Sequence, residues 1–393
     1  MLSQSNPFTP TFGRTPKVVV GRDVVLDALA RGLDSPDDPY RMTWLRAARG
    51  VGKTVLLNEA QDMATDRGWL VVQEDAQSSG SLCARITNRL VSHLAEQDPP
   101  AHSRYIARLK IGPVEVERQA RDLPALPPTL RSTMEAVLDA GSPPTGIMLS
   151  VDEIHSATSE DLHELGNAVQ HLHRDRRPIA VLFAGLPAAA DDPPMPTFLT
   201  RCMQPDIHQV DDSEIERGFV ETAAASSATF APDALALAVR STAGYPYMLQ
   251  LVGYHAWNEA PPAADGRRTI TAPQIRSTVA EAERQLARSV MLDVDRRLSP
   301  QDRAFLLAMA HDNGSSRMRD LASRLHQGPQ YVNMYRVRLL ESGLITQTGR
   351  GRVDFAFPGH RAMLRSTPQF TEQAELLRRG ADMSHPSGPA LEP

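Results

Sequence analysis

The octapeptide AARGVGKT, at residues 47–54, constrains the fold of this chain more than any other stretch. An apolar-leaning run at 42–45 precedes it and indicates a buried strand, and the apolar spacing of 55–63 is typical of a helix. A tight turn that leads into the amino end of a helix suits a phosphate group, because free amides and the positive end of the helix dipole meet there. The octapeptide therefore predicts a phosphate-binding loop between a strand and a helix.

Each residue type in this octapeptide has a place in phosphate chemistry. Gly50 and Gly52 allow the backbone to come close to the β- and γ-phosphates, where side chains would block the approach. Lys53 supplies a point charge, and the hydroxyl of Thr54 is a ligand for Mg²⁺. The strict pattern begins with glycine, and Ala47 stands at that position here. The alternative interpretation is a glycine-rich turn that binds nothing, which the flanking strand and helix disfavour.

A second stretch, GIMLSVDE at residues 146–153, supports the first. It is mostly apolar and ends in two carboxylates, as expected of a central parallel strand that is buried on both faces and exposes polar groups only at its carboxyl end. Asp152 is predicted to hold Mg²⁺ through its water shell, and Glu153 to orient or deprotonate the water that attacks a γ-phosphate. The alternative is a strand followed by a capped helix, in which both acids are surface residues.

Length and composition bound the class of protein. The 393 residues allow two or three domains. No apolar run approaches the roughly 20 residues of a membrane span, and the first residues show no basic region leading into an apolar one. The two cysteines, Cys83 and Cys202, have neither metal-site nor disulfide spacing, which fits a reducing compartment. The sequence therefore predicts a cytoplasmic protein with no membrane partner.

Charge is distributed unevenly along the chain. The net charge is −5. Residues 296–366 hold twelve arginines against five acids, a net +7, so the remainder of the chain carries −12. A basic module on an acidic body suggests a polyanionic partner for that module.

The pattern of secondary structure changes twice along the chain. Strands and helices alternate up to about residue 211, which is typical of a parallel sheet with helical crossovers, and the fifth and last strand is expected at 207–210. Residues 213–292 have helical periodicity throughout and predict a small helical domain. From Ser299 onwards, three helices and a hairpin predict a winged helix-turn-helix.

The third of these last helices and the hairpin turn carry side chains that suit duplex DNA. Gln330, Asn333 and Arg338 are of types that read base edges. Arg350 and Arg352 lie in the hairpin turn, from which they are expected to reach phosphates or a minor groove. Two alternatives stay open, namely that these arginines pair with the acidic body or stay solvated, and that the module docks on a protein.

The order of these motifs resembles that of AAA+ ATPases of the origin-recognition and STAND neighbourhood, over about residues 16–366. Residues 49–54 match the Walker A form of these families, and Asp152 with Glu153 matches Walker B. Gly21-Arg22-Asp23 resembles the motif that lies against the adenine, and Gly244-Tyr245-Pro246 resembles the Gly-x-Pro element of the lid. Arg201 occupies the place of the arginine that reaches the γ-phosphate of a neighbouring subunit.

The resemblance implies an α/β fold, namely a P-loop NTPase parallel sheet with a helical lid and a C-terminal winged helix-turn-helix. It implies ATP and Mg²⁺ as cofactors and self-association through Arg201, with Glu153 and Arg201 as catalytic residues and Thr54 and Asp152 as metal ligands. The implied nucleotide contacts are Gly21, Arg22, Ala48, Arg49, Gly50, Val51, Gly52, Lys53, Thr54, Val55 and Pro246. The expected segments are a flexible N-terminus (1–15), the ATPase core (16–211), the lid (212–295), the winged helix (296–366) and a largely disordered tail (367–393).

Two departures from the family pattern bear on activity. The predicted fourth strand ends in Ala184 and Gly185, where many relatives place a polar sensor for the γ-phosphate, and the lid has Pro246-Tyr247 in place of a second-sensor arginine. Both favour a slowly hydrolysing, nucleotide-dependent switch over a motor. Two other functions remain open, a DNA-binding regulator or initiator in which ATP is structural and a protein-interaction adaptor whose winged helix is only a lid.

Overall fold

The computed structural model describes residues 5–11, 13–47, 50–100, 102–103, 105–106, 128–140, 144–186, 196–207, 209–295 and 298–372. Its helices and strands are, in chain order, α1 (Asp23–Asp34), β1 (Met42–Arg46), α2 (Lys53–Asp66), β2 (Leu70–Asp75), α3 (Leu82–Gln97), α4 (Leu130–Leu138), β3 (Ile147–Asp152), α5 (Ser159–Arg174), β4 (Ile179–Gly185), α6 (Thr197–Thr200), α7 (Asp212–Ala224), β5 (Ala228–Phe230), α8 (Pro232–Thr242), α9 (Pro246–Glu259), β6 (Arg268–Ile270), α10 (Ala272–Asp295), α11 (Pro300–Ala310), β7 (Ser316–Arg317), α12 (Met318–Arg324), α13 (Pro329–Glu341), β8 (Ile345–Gly349), β9 (Arg352–Phe355) and α14 (His360–Arg365).

Two compact units divide the chain. The sheet unit comprises Arg22–Ala47 and Gly52–His208. The helical unit comprises Met1–Gly21, Ala48–Val51 and Gln209–Pro393. The predicted boundary at residue 296, between a lid and a winged helix, falls inside the helical unit and stays a prediction.

The sheet unit is built on four parallel strands in the order β1-β4-β3-β2. β3 and β4 are central, and their apolar residues are buried along the whole strand, as the predicted α/β fold requires. The register pairs the last residue of β1 with the last of β4, and the last of β2 with the last of β3. The carboxyl ends of all four strands therefore lie along one edge of the sheet, where a site in an α/β fold is expected.

Helices cover the sheet because their apolar residues recur at helical spacing. On α3, buried leucine and isoleucine side chains stand four residues apart at Leu82, Ile86, Leu90 and Leu94. They pack in one cluster with residues of α4, α5 and the central strands. The serine side chain of Ser81 caps α3, and that of Thr158 caps α5, which explains where both helices begin.

The predicted fifth strand at 207–210 was wrong. Ile207, Gln209 and Val210 have no strand structure, and Val210 instead donates its N–H to the carbonyl of Gly244 at 2.8 Å. A single parallel bridge joins Met203 to Thr43 on the outer side of β1. The sequence 202–206 contains a proline, so the pairing beside β1 is limited to Met203.

The helical unit begins with α7 to α10, as predicted, and adds a two-stranded parallel ladder, β5 with β6, that the sequence did not indicate. The N-terminal segment also contributes to this unit. Phe8 is 1% exposed, and its ring centroid lies 6.1 Å from that of Phe219 on α7. Gly253 on α9 leaves the space that the Phe8 ring fills. Phe8 thus anchors part of the segment that was predicted to be a flexible N-terminus.

The C-terminal module of the helical unit, residues 298–367, has the order helix, strand, helix, helix, strand, strand, helix. β7, β9 and β8 form an antiparallel sheet in that order. Ser299 and Asp302 form a capping box at the start of α11. The module packs on the rest of its unit, since the rings of Tyr245 and Phe357 are 5.1 Å apart.

Several expectations fall outside the described residues. They include the predicted nucleotide contacts Ala48 and Arg49, and the tail from residue 373. Within the described residues, no helix is long and apolar enough to span a membrane.

Candidate nucleotide site

The loop before α2 has the backbone that the octapeptide predicted. Gly50 and Gly52 have φ of +80° and +99°, a left-handed conformation that favours glycine. A Cβ on Gly52 would meet no described atom within 4 Å. Gly52 is the residue before the first turn of α2, and it has no side chain that could cap the helix. The amino end of a helix without such a cap suits an anion.

The loop lysine is buried against its own loop. Lys53 is 6% exposed, and its Nζ donates a hydrogen bond to the carbonyl of Ala47 at 2.8 Å. A neutral carbonyl is a weaker partner for an ammonium group than a phosphate oxygen. The side chain is thus placed at the loop, with a partner that an anion could replace. Val55, which is also a predicted nucleotide contact, is half-buried in the first turn of α2.

The two predicted metal ligands meet. The hydroxyl of Thr54 donates to Oδ2 of Asp152 at 3.0 Å, which joins the start of α2 to the end of β3. Hydroxyl and carboxylate oxygens are the ligands that Mg²⁺ prefers, so the residues present fit this ion. A second contact between the same elements fixes the arrangement, since Gln61 on α2 donates to the buried Ser150 on β3 at 2.7 Å.

Glu153 has an unusual backbone. Its φ is +51°, which is rare for a residue other than glycine, and its N–H donates to Oδ1 of Asp152 at 2.8 Å. The chain turns sharply here from β3 into a short 3₁₀ turn, Ile154–Ser156. Asp152 and Glu153 therefore lie side by side at the sheet edge, as predicted, and backbone strain of this kind is common at functional sites.

Sequence reasoning missed His155, which contacts Glu153. Nδ1 of His155 lies 3.3 Å from Oε2 of Glu153. The same nitrogen lies 3.2 Å from the backbone N of Leu186, just after β4. The signal was its position, since a titratable residue three places after the terminal aspartate of a central strand falls at the carboxyl edge of the sheet.

The other residues predicted to contact the nucleotide lie on other segments. Gly21, in the helical unit, donates its N–H to the carboxylate of Glu214 at 3.1 Å. Arg217 also binds this carboxylate, and the two donors together hold the pKa of Glu214 below its usual range. Arg22 in the sheet unit precedes α1 and is buried, which lowers the pKa of its guanidinium. Pro246 opens α9 directly after the buried Tyr245. No sequence motif had pointed to Glu214.

Arg201 lies at the opposite edge of the sheet from Thr54 and Asp152. It follows α6, is exposed, and lines a cleft of about 490 Å³. Met42, the first residue of β1, lines the same cleft, whereas the phosphate loop follows the last residue of β1. Five strand residues span about 15 Å. Arg201 is therefore well separated from the metal ligands of its own chain.

The predicted DNA-binding residues are not all on one surface. Gln330 and Asn333 are exposed on α13, and Arg350 is exposed in the turn between β8 and β9. Arg352 donates to the hydroxyl of Ser315 at 3.1 Å. Arg338 is turned away from this face, because its guanidinium forms an ion pair with the buried Asp302 at 3.3 Å.

A groove of about 880 Å³ lies between α13 and the hairpin, and it contains three arginines and no carboxylate among its described lining residues. Arg319 and Arg350 lie at its sides. Arg336, which sequence reasoning missed, spans it by donating to Asn333 and to Gln347. Arg336 therefore lines the groove, and Arg338 does not.

Comparison with protein families accords with this geometry. Residues 18–183 match the model of the family described as AAA ATPase domain. Over this range the chain is similar to AAA ATPase domains. The match confirms the predicted P-loop NTPase fold. Residues 293–364 match a second family model, Domain of unknown function (DUF8462), which coincides closely with the C-terminal module. No curated protein matches the chain significantly.

Three solved structures illustrate what this chain is similar to. The Walker-type ATPase PABY2304 of Pyrococcus abyssi is 16% identical, with a TM-score of 0.59 over 89% of this chain and 97% of that chain. Cdc6p of Pyrobaculum aerophilum is 14% identical, with a TM-score of 0.45 over 94% and 97%. The Holliday junction branch migration motor RuvB of Thermotoga maritima is 15% identical, with a TM-score of 0.43 over 85% and 92%. At 16% identity, the similarity to the Pyrococcus abyssi ATPase concerns the fold alone.

Proposed function

We propose that the AAA ATPase domain binds ATP with Mg²⁺ and acts as a slowly hydrolysing switch whose nucleotide state controls the C-terminal module. The contact of Thr54 with Asp152 carries this proposal, because it joins the two oxygen ligands that a nucleotide-bound Mg²⁺ requires. Lys53 would exchange the carbonyl of Ala47 for the phosphates. Bound Mg²⁺ would neutralise charge on the β- and γ-phosphates.

Hydrolysis would depend on Glu153. Its carboxylate is at the same sheet edge as Asp152, so it can orient the attacking water and accept its proton. The end of β4 is Ala184-Gly185, and the polar group beside it is His155, which already contacts Glu153. This arrangement favours slow turnover, and therefore a switch over a motor.

Arg201 would act on a second copy of the chain. Arg201 lies at the sheet edge opposite Thr54 and Asp152. It would therefore have to move a long way to reach a γ-phosphate bound in its own chain. A cation that reaches the γ-phosphate of a neighbour would couple hydrolysis to self-association.

Duplex DNA is the partner that the C-terminal module would bind, if the module functions as a winged helix. The arginine-lined groove beside α13 supports this partner, since phosphates are attracted to cations and no described lining residue repels them. A protein partner is the second candidate. Two apolar side chains of α13, Met334 and Val337, are 54% and 39% exposed, which is unusual for large apolar residues on a free helix.

The test of the nucleotide site uses the full chain and Mg²⁺-ATP. Lys53→Ala should weaken ATP binding by about 10- to 150-fold, because a hydrogen bond to a charged group contributes about 1.5–3 kcal/mol. Glu153→Gln should bind ATP as the wild type does and hydrolyse it about 100-fold or more slowly. Calorimetric titration and phosphate release measure the two quantities.

The matched control is Lys17→Ala, since Lys17 is an exposed lysine outside the site. It should leave both quantities unchanged. Equal ATP affinity in folded Lys53→Ala and wild-type protein would contradict the phosphate-loop assignment. Equal turnover in Glu153→Gln and wild type would place the general base elsewhere.

A further inference from the structure

The cleft beside Arg201 has the size and lining of a ligand site. Its volume is about 490 Å³, and residues of α5, of the segment 198–202 and of the first position of β1 line it. Small-molecule sites usually have volumes of roughly 300–1,000 Å³. No lining residue in the described part of the chain is acidic. Its apolar lining consists of Met42, Val169, Phe198 and Cys202.

The fold holds this apolar lining firmly. Phe198 is 8% exposed, and its ring packs edge-on against that of the buried Phe183 on β4, with centroids 6.1 Å apart. Gly166 on α5 makes room for this ring, because a Cβ there would lie 2.6 Å from it. Met203 donates its N–H to the carbonyl of Met42 at 2.8 Å, which holds the chain after α6 against β1. The walls of the cleft are therefore fixed by packing and by backbone hydrogen bonds.

The polar side chains of the cleft have binding capacity that no described residue uses. Nδ1 of His171 is buried and has no hydrogen-bond partner among the described residues. Arg174, at the end of α5, already pairs with Asp175 at 3.2 Å. Arg201 is exposed and forms no ion pair with another described residue. Arg201 is therefore the cation that remains for a ligand, and His171 adds an imidazole to the same cleft.

We propose that this cleft binds a small amphiphilic anion, namely a carboxylate or a phosphate ester on an apolar body. The apolar body lies against Phe198 and Met42, where its burial removes apolar surface from water. The anionic group lies at Arg201, because a guanidinium matches two oxygens of a carboxylate or a phosphate. A neutral ligand leaves Arg201 without a partner, and a simple inorganic anion leaves the apolar lining exposed to water.

The first test uses two fluorescent probes that have the same apolar body. One is 1-anilinonaphthalene-8-sulfonate, which carries an anionic group, and the other is N-phenyl-1-naphthylamine, which lacks it. In fluorescence titrations of the full chain without nucleotide, the sulfonate should bind about tenfold more tightly than the neutral probe, since it adds a charge-assisted contact. Equal affinities for the two probes overturn the proposal.

Two variants separate the two parts of the site. Arg201→Gln should weaken binding of the sulfonate about three- to tenfold and leave the neutral probe unchanged, because only the charged contact is lost. Met42→Ala should weaken both probes to a similar degree, since it removes apolar lining. The matched control, Arg240→Gln at an exposed arginine of α8, should change neither. Wild-type affinity for the sulfonate in both folded cleft variants would place the probe elsewhere and overturn the proposal.

Displacement of the bound sulfonate identifies the anionic group. Octanoate and octyl phosphate have the same apolar chain, so the one that competes at the lower concentration shows whether the cleft prefers a carboxylate or a phosphate ester. At least one of them should displace the probe, and failure of both contradicts the proposal. Inorganic phosphate should compete much less well than octyl phosphate. Equal competition by these two would show that the apolar lining contributes nothing, which also contradicts the proposal.

A ligand in this cleft would engage the same guanidinium that the proposed function assigns to a neighbouring chain. The preferred competitor should therefore suppress the part of ATP hydrolysis that rises with protein concentration, and this consequence rests on the proposed function. The binding tests contain no nucleotide, so they stand independently of it. If the competitor binds at the cleft and turnover does not change, the site stands and the proposed role of Arg201 in hydrolysis fails.

Discussion

Lys53 in the phosphate loop and the arginines of the C-terminal module carry the same charge, yet their surroundings differ. Lys53 has a neutral carbonyl as its partner, although it is almost fully buried. In the module, Arg324 binds Asp312, Arg338 binds Asp302 and Arg361 binds Asp354. Lys53 donates to a backbone carbonyl of its own loop, whereas these three arginines bind carboxylates.

The difference qualifies what a net charge means for binding. The value of +7 for residues 296–366 is correct as a sum, but every aspartate of the module has an arginine partner. Such pairs hold helices and hairpin together and add little to the field at a distance. Arg336 and Arg350, by contrast, line a groove that has no described carboxylate among its lining residues. Position decides the function of a cation more than its number does.

The largest predicted effect concerns a cation at the other edge of the sheet. Arg201→Ala should lower ATP hydrolysis by about 10³-fold and leave ATP affinity unchanged, because an arginine supplied by a neighbour acts only on the transition state. In the wild type, turnover per chain should rise with protein concentration as copies meet. Phosphate release over a range of concentrations measures both.

Arg240→Ala, at an exposed arginine of α8, controls for loss of surface charge. Specific activity that is independent of concentration, together with normal turnover in Arg201→Ala, would show that Arg201 is an ordinary surface residue. Lys53 would then have a proposed role in ATP chemistry, and Arg201 would not.

The residues predicted for a phosphate site come together for reasons that are local and topological. Residues 50–54 share one turn, and Asp152 joins Thr54 because the carboxyl ends of parallel strands meet at one edge. The surroundings of Arg338 could not be predicted in this way. Arg338 pairs with Asp302, whereas Arg336, two residues and about 200° away around the helix, lines the groove.

Contacts between distant residues escaped prediction for the same reason. The pairing of Arg338 with Asp302 depends on how α13 packs on α11, and the sequence pattern of either helix alone does not specify it. His155 and Glu214 were missed because each is defined by the neighbour that it touches, Glu153 or Gly21. The short β5 and β6 lack apolar alternation long enough to recognise.

A pH experiment on the C-terminal module would test a buried titratable group, His360. Burial, together with the neighbouring Arg361, lowers the pKa of His360 to about 3. Its Nδ1 has no hydrogen-bond partner among the described residues, and the ring packs against Phe355 and Phe357. The unfolded chain takes up a proton near pH 6.5 and the folded module does not, so stability is lost as the pH falls from about 6.5 towards 3.

We expect the free energy of unfolding of the wild type to fall by at most about 1.4 kcal/mol per pH unit from this residue. His360→Phe removes the titrating group and should flatten the dependence between pH 7 and pH 5.5. Denaturant unfolding at several pH values measures it, with His326→Gln, at an exposed histidine, as the control. An identical pH dependence in His360→Phe and wild type would mean that another group determines the acid sensitivity.

The smallest predicted effect distinguishes free from paired arginines within the module. Arg350→Gln should weaken binding of the full chain to duplex DNA about two- to fivefold at low salt and reduce the salt dependence by about one phosphate contact. Arg324→Gln should change DNA binding less and lower the melting temperature more, since it leaves Asp312 without its ion-pair partner. Titrations at two salt concentrations, with and without ATP, measure the first effect, and thermal unfolding measures the second.

The two variants remove the same formal charge, so an effect of net charge alone would make them equal in the DNA titration. A groove-specific contact makes them unequal, because only Arg350 lines the surface without described carboxylates. If DNA binds only in the presence of ATP, the acidic body masks the groove until nucleotide binds, as a switch requires. If the wild type binds no DNA at low salt in either state, the exposed Met334 and Val337 become the better guide, and α13 is a surface for a protein partner.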